Sequence, residues 1–426
     1  MRQLCIVKEG TNIKLKQINT DAYETWIEQF ENRNFLQSSY EGEKIKKDGW
    51  DVRYLAGMEE NTIQVCAMVA IKPLMKLFCY AYIPRGPFYT NKENLKEYYR
   101  LLQNLKKEKC VYLETDPYIP LRQRDENGQI VEGGWNHQDV VDLYQEMGFA
   151  HLPLTQGYDM TRQCRWMSIL HLEGQTKEQV FKAFPSKTRQ DIKNALKYNI
   201  KVRKLEKDEL SILHDLVSMT GERRHFSSLS LEYYQEQYEY FKDKAQAYYA
   251  YLDIDAYVEN IQQSIDKEKQ VIEQAKQRLQ ENPHSKNSQN RLHTATLHLE
   301  SLYKRQEEAV LLQKEHGHEL GLAAAMYIFY GKEVVYLMSG SNDAYKKFKA
   351  PYALQWTMIQ KAIEEGYTEY NFYGISGLFE PGQEGYEVFD FKRGFNAVVV
   401  ELVGNFILPL HTILFNVYKK KNHLDI

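Results

Sequence analysis

The chain has 426 residues, long enough for two or three domains with cores of their own. At 43% hydrophobic and 27% charged it has the composition of a soluble protein, and no apolar run approaches the ~18 residues that would cross a bilayer. A net charge of −3 excludes a protein that is basic overall, so any contact with a polyanion must be local. The opening Met1-Arg2-Gln3-Leu4-Cys5-Ile6 lacks the apolar core and small-residue cleavage site of a signal peptide, so a cytoplasmic location is expected. Ile63 to Ile71 and Leu77 to Ile83 read as strands, followed by a turn at Arg85-Gly86-Pro87. A helix is expected from about Asn91 to Lys107, with Tyr98, Leu101, Leu102 and Leu105 on one face. Cys110 to Pro117 closes the unit as a strand.

From Phe181 to Lys204 the sequence carries eight basic residues and one acid, Asp191. A solvated helix face followed by a strand is the plain reading. A phosphate-contacting surface is the sharper one, with Lys187, Arg189, Lys193 and Lys197 at helical spacing. Next come two apolar, aromatic strands, Ala247 to Leu252 and Leu322 to Phe329. A tight turn would suffice to join them, yet about 70 residues intervene. These read as a helical hairpin: Val258, Ile261, Ile265, Ile272, Ala275 and Leu279 recur in three- and four-residue steps, with Glu268 breaking the seam. After the turn at 282–288 the rhythm returns at Leu292, Ala295, Leu299, Leu302 and Ala309, with Gln306 polar. Counting inward from the turn pairs Leu279 with Leu292, Ile272 with Leu299 and Ile265 with Gln306, the order of an antiparallel coiled coil. Each helix would run about 25 residues, roughly 40 Å. An arm of that length points to a macromolecular partner, although acids and bases alternate along it and leave no basic stripe.

Beyond the arm the order of the first unit returns. Leu322 to Tyr330 is a strand, Gly331-Lys332 a turn, Val334 to Met338 a strand ending in Ser339-Gly340-Ser341. A helix follows from Tyr352 to Glu365, then a strand Tyr370 to Gly374, about 260 residues after its counterpart. This order fits an N-acetyltransferase-like fold. Neither Arg85-Gly86-Pro87-Phe88 nor Ser339-Gly340-Ser341-Asn342 supplies the glycine-rich pyrophosphate loop of an acetyl-CoA enzyme, so a CoA donor is disfavoured. The expected fold is therefore α+β: two tandem N-acetyltransferase (GNAT)-like domains with an inserted antiparallel α-helical coiled-coil arm. The boundaries are 1–148 for the first domain, 149–254 with 319–400 for the second, 255–318 for the arm and 401–426 for a tail packed on the body. The tail from Phe406 to Lys421 reads as a docked helix with a basic end; contact with an anionic membrane surface is the second reading.

Several apparent signals are set aside. Cys5, Cys66, Cys79, Cys110 and Cys164 form no C-x-x-C pair and read as buried thiols. His316-Gly317-His318-Glu319 lacks the histidine spacing of H-E-x-x-H, and no metal site is expected. Ser376 in Gly374-Ile375-Ser376-Gly377 is not a G-x-S-x-G nucleophile elbow.

Five segments together carry a family resemblance: Ile83-Pro84-Arg85-Gly86-Pro87, Leu113-Glu114-Thr115-Asp116-Pro117, Phe184-Pro185-Ser186-Lys187-Thr188-Arg189, Asn371-Phe372-Tyr373-Gly374-Ile375-Ser376-Gly377 and Phe391-Lys392-Arg393-Gly394-Phe395-Asn396. Over nearly its whole length the chain resembles the Fem family of peptidoglycan interpeptide-bridge aminoacyltransferases of Gram-positive bacteria. The resemblance implies an aminoacyl-tRNA as co-substrate, with no other cofactor. The aminoacyl group would pass to an amine on the stem peptide of a lipid-linked peptidoglycan precursor at the inner membrane surface. Alanine or serine is favoured over glycine, and homologous bridge-forming transferases are further candidate partners. Lys392 aligns with the lysine that stabilises the developing oxyanion, and Asp116 is a candidate base. For the precursor's pyrophosphate the resemblance suggests Lys46, with Lys44 or Lys47 as alternatives, and Arg85 is counted with the acceptor-binding residues. The family's second clamp arginine falls on Leu229, a departure, which leaves Arg223 or Arg224 to substitute. Tyr233 is retained, and Tyr336 should face the same cleft. A CoA-dependent N-acyltransferase and a non-catalytic coiled-coil interaction protein are the competing classes.

Overall fold

The computed structural model describes residues 12–74, 77–159, 161–224 and 228–421. Two mixed sheets organise them, each built on the same motif of antiparallel strands, a helix and a parallel strand. In the first, Lys14–Ile18, Asp51–Glu59, Thr62–Leu74 and Phe78–Arg85 run antiparallel, and Cys110–Pro117 then joins Phe78–Arg85 in parallel. The middle strand Thr62–Leu74 is buried on both faces, as its unbroken apolar run requires. Val65, Ala67 and Val69 point to Leu95, Tyr98 and Leu102 of the helix Lys92–Leu102, while Cys66 and Met68 point to Tyr23 and Ile27 of the helix Thr20–Ile27. The alternation of the strand thus divides its side chains between two layers. Asn91 caps the helix by accepting from the Asn94 amide at 2.8 Å. The helix expected to reach Lys107 ends at Leu102 and continues as the 3-10 turn Gln103–Glu108, closed by Lys109 at φ 67°.

The second sheet repeats the design. Ile200–Leu205, Ala245–Asp253, Glu319–Tyr330 and Glu333–Ser341 run antiparallel, and Glu369–Gly374 adds in parallel. Ala323, Ala325, Tyr327 and Phe329 face a core closed by the helix Ala350–Glu364, and Ala324 and Met326 face the helix Leu210–Arg224. Ala245–Asp253 and Glu319–Tyr330 pair down to Asp253 opposite Glu319, so the arm replaces a hairpin turn. Its helices, Ile254–Glu281 and Lys286–His316, span 28 and 31 residues. They begin directly at the strand end, where the Asp253 carboxylate accepts from the Ala256 amide at 3.0 Å. Ile261, Ile265, Ala275, Ala295 and Ala309 are buried along the arm, and Gln306 donates to Gln262 at 2.8 Å across it.

The sequence boundaries need correction at two strands. Phe406–Pro409, assigned to a tail packed on the body, is an internal strand of the first sheet between Cys110–Pro117 and Ala150–His151. Pro120–Gln123, assigned to the first domain, is the edge strand of the second sheet beside Val398–Leu402. Each half therefore lends a strand to the other. The halves also meet where the helix Ser39–Lys47 lies against the helix Leu231–Phe241, and where Tyr330 donates to Glu24 at 3.0 Å. The thiols are not all buried: Cys66 and Cys110 are, Cys79 and Cys164 are partly exposed, and Cys5 lies outside the described residues. His316 and His318 diverge, toward Tyr345 at 2.8 Å and Asp255 at 2.6 Å. No helix among the described residues is long and apolar enough to cross a membrane.

Candidate active site

The two parallel pairs differ at one point, and it creates the cleft. In the first sheet the pairing runs to the strand ends, Pro84 opposite Asp116 and Arg85 opposite Pro117. In the second it stops at Val335 opposite Asn371, and the strands part beyond. The opening is a cavity of about 740 Å³ lined by Tyr336 to Asp343 on one side and Phe372, Tyr373 and Gly374 on the other. Gly340 allows the wall to close: a Cβ there would lie 2.1 Å from the Leu216 carbonyl oxygen of the helix behind it.

Lys392, on the short helix Tyr386–Arg393, reaches the cavity as a 5%-exposed side chain. Its Nζ donates to the carbonyls of Gly374 at 2.6 Å and Tyr373 at 3.3 Å. Burial pulls its ammonium down from the ordinary lysine value to about 7. Those carbonyls are presented by a bulge. The ladder with Trp166–His171 skips from Asn371 to Gly374, and Tyr373 sits at φ 63°, a conformation that costs a tyrosine about 1–2 kcal/mol. Asn371 holds it there: its Oδ1 accepts from the Tyr373 amide at 2.8 Å, and its Nδ2 donates to Glu333 at 2.8 Å and to the Tyr118 hydroxyl at 3.1 Å. Asn371 and Glu333 are buried, and burial pushes the Glu333 carboxyl up to about 7.

At the rim, Arg223 pairs with Asp343 at 2.6 Å and Arg224 with Glu387 at 3.3 Å; Lys346, Lys347 and Lys349 stand at the start of the helix Ala350–Glu364. Of the residues expected at the site, the structure thus brings Lys392, Arg224 and Tyr336 into one cleft. Lys44, Lys46 and Tyr233 lie at the contact between the halves. Lys44 binds Glu41 at 2.7 Å and lies 5.6 Å from the Tyr233 ring, and the exposed Lys46 binds Glu43 at 2.5 Å. Leu229 is exposed on the loop before the helix Leu231–Phe241.

Asp116 and Arg85 do not line this cleft. The first sheet stays paired to its strand ends there: Asp116 is buried, ion-paired with Arg85 at 3.2 Å, and accepts from the Arg85 amide and the Tyr82 hydroxyl, each at 3.0 Å. Burial pushes the carboxyl above its ordinary value, and the Arg85 guanidinium pulls against that shift. Arg85 is equally buried and donates to the Cys164 carbonyl at 2.7 Å, joining the halves. Lys187, Arg189, Lys193 and Lys197 lie on the helix Ser186–Lys197. Lys187, Lys193 and Lys197 are exposed with no ion-pair partner among the described residues, and Arg189 turns back to the Lys182 carbonyl at 2.7 Å. The structural part played by Asn371 was not foreseen; the available signal was an amide in a strand otherwise aromatic.

The sequence profile of the FemAB family matches residues 18–422. The chain belongs to the FemAB family. An aminoacyltransferase FemA from Staphylococcus epidermidis is 32% identical over 372 residues, 86% of this chain and 89% of the relative. An aminoacyltransferase FemA from Staphylococcus aureus is 30% identical over 412 residues, 95% of this chain and 97% of the relative. The protein is accordingly an enzyme of the aminoacyltransferase class. A crystal structure of FemX shares the fold, with a TM-score of 0.80 at 22% identity, covering 95% of this chain and 99% of that one.

Proposed function

We propose that this FemAB-family enzyme transfers an alanyl or seryl group, or a glycyl group, from its aminoacyl-tRNA to an amine on the stem peptide or growing bridge of a lipid-linked peptidoglycan precursor. It would work in the cytoplasm at the inner membrane face, through two acyltransferase-like domains and without a further cofactor. The observation that carries this reading is Lys392, buried where two parallel strands part and tied to the carbonyls of Tyr373 and Gly374. The acceptor nitrogen attacks the ester carbonyl; the new C–N bond forms, the C–O bond to the ribose breaks, and the proton lost by the amine leaves on the ribose oxygen. Charge develops on the carbonyl oxygen in between. In a site this dry a fixed cation stabilises that charge far more than water would, and the oxyanion in turn favours the protonated form of Lys392. The cations at the rim, Arg223, Arg224, Lys346, Lys347 and Lys349, suit the phosphates of donor or acceptor. Lys187, Lys193 and Lys197 offer a second anionic contact outside the cleft.

The test offers lipid-linked precursor to the enzyme with tRNA charged separately with labelled alanine, serine and glycine. Label should reach the precursor from at least one donor, and Lys392→Ala should lower the rate by about 100-fold while leaving the fold intact. No transfer from any of the three would overturn the reading.

A further inference from the structure

The C-terminal helix Thr412–Lys421 turns one side inward and leaves the other uncovered. Phe415 is buried against Tyr112, ring centroids 5.6 Å apart, and Tyr418 stacks on the same ring at 5.3 Å. The outward stripe runs Ile413, Asn416, Val417, Lys420 at helical spacing. A solvent-facing stripe is ordinarily polar, yet Ile413 is 81% exposed and Val417 59%. Leu77, 68% exposed, stands between the strands Thr62–Leu74 and Phe78–Arg85, next to Phe78, which packs in the cluster that holds Phe415. A third segment, Gln103–Glu108 with Lys109, completes the surface. The His411 ring lies 3.0 Å from the Lys106 carbonyl, and the Cys79 amide donates to the Lys109 carbonyl at 3.2 Å, which binds the three segments together.

Lys106, Lys107, Lys109, Lys420 and Lys421 are all exposed, with no ion-pair partner among the described residues. The carboxylate within this set, Glu108, is held by Arg53 at 2.8 Å. Lysines around separate, protruding aliphatic side chains match neither of the other common macromolecular surfaces. Protein interfaces are depleted in lysine and centred on packed aromatic groups, and a nucleic-acid backbone gains nothing from exposed isoleucine or leucine. They match a bilayer interface, where aliphatic tips enter the headgroup–acyl boundary and lysines meet anionic headgroups.

We propose that this face docks the enzyme on an anionic lipid surface through Ile413, Val417 and Leu77, ringed by Lys106, Lys107, Lys109, Lys420 and Lys421. The transfer reading gives the contact a use, since a lipid-linked acceptor lies in the same plane, but the physical argument does not depend on it.

The experiment sediments the full chain with vesicles of phosphatidylglycerol and phosphatidylcholine, and with vesicles of phosphatidylcholine alone, with no substrate present. Binding should require phosphatidylglycerol and weaken in 0.5 M salt, about the concentration that removes most surface attraction. Lys420→Gln with Lys421→Gln should weaken it about thirtyfold, or roughly 2 kcal/mol. Ile413→Asn with Val417→Asn should weaken it at least tenfold, with unchanged circular dichroism because both side chains are exposed. Equal binding to both vesicle types, no binding, undiminished binding by the variants, or capture by RNA in preference to vesicles would each overturn the proposal. None of these outcomes bears on transfer, which is measured separately.

Discussion

In the proposed reaction Lys392 carries two demands that conflict. An oxyanion needs a cation beside it, and the burial that strengthens their attraction also drives that cation to about 7. The acceptor amine, with an ordinary value near ~10.4, gains reactive neutral form as pH rises, whereas Lys392 loses its charge above about 7. The product of the two gives kcat/KM that climbs with unit slope to about pH 7 and then levels. A neutral Lys392 that takes the proton from a charged amine produces the same profile, so pH alone does not separate cation from base. Lys392→Arg does, because an arginine stays charged throughout. With a cation role the variant keeps measurable transfer, about 1–10% of the rate, and its profile keeps climbing above pH 7. With a base role it is as inactive as Lys392→Ala. Stability changes above about pH 7 rather than below it. The unfolded lysine binds its proton up to ~10.4 while the folded one releases it near 7, so burial costs stability fully below about pH 7, and that cost fades as pH rises toward the unfolded value.

At the scale of single elements, the strand Glu369–Gly374 matters as much as the lysine it serves. Its bulge aims two carbonyls at Lys392, and Asn371 is the brace. Asn371→Leu keeps the branching and heavy-atom count of the side chain and removes its hydrogen bonds, leaving the Tyr373 amide and the Glu333 carboxyl without this partner at a cost of about 2–4 kcal/mol. At a temperature where urea titration shows the variant folded, kcat should fall at least about tenfold with KM little changed, since the acceptor carbonyls swing away from Lys392. A loss no larger than the unfolded fraction would reduce the bulge to packing. None of this chain of contacts was legible in sequence, because it joins positions 118, 333, 371 and 373, which no periodicity relates. The arm and the repeated strand–helix–strand order were legible for the opposite reason: the three- and four-residue steps from Ile261 to Ala275 and the unbroken apolar run from Leu322 to Phe329 are local patterns, displayed without tertiary help. Whether Asp116 stands at a parted or a paired strand end was not legible, because the order of elements is the same in both halves. The second pair parts beside Gly340, where the Leu216 backbone packs close behind the strand, a contact no local pattern announces.

For the whole molecule, the exchanged strands decide what counts as a unit. Phe406–Pro409 and Pro120–Gln123 are four residues each, too short to show alternation, and the sequence boundaries fell on the wrong side of both. Phe406 stacks on Tyr144 at 4.5 Å inside the first core, so that core closes only when the chain returns some 290 residues after Cys110–Pro117 is laid down. The Arg85–Cys164 and Asn371–Tyr118 hydrogen bonds add buried polar ties between the halves, and leaving one such group unpaired costs about 1–3 kcal/mol. Two halves tied this way should not melt separately. Denaturant unfolding followed at Trp26, in the first half, and at Trp356, in the second, should give coincident single transitions. A chain ending at Asn405 loses the internal strand, bares the edge of Cys110–Pro117 and should aggregate rather than yield a folded second half. Two resolved transitions, or a soluble, cooperative remainder from the shortened chain, would show instead that the halves are independent domains and that the exchanged strands are late additions to cores already closed.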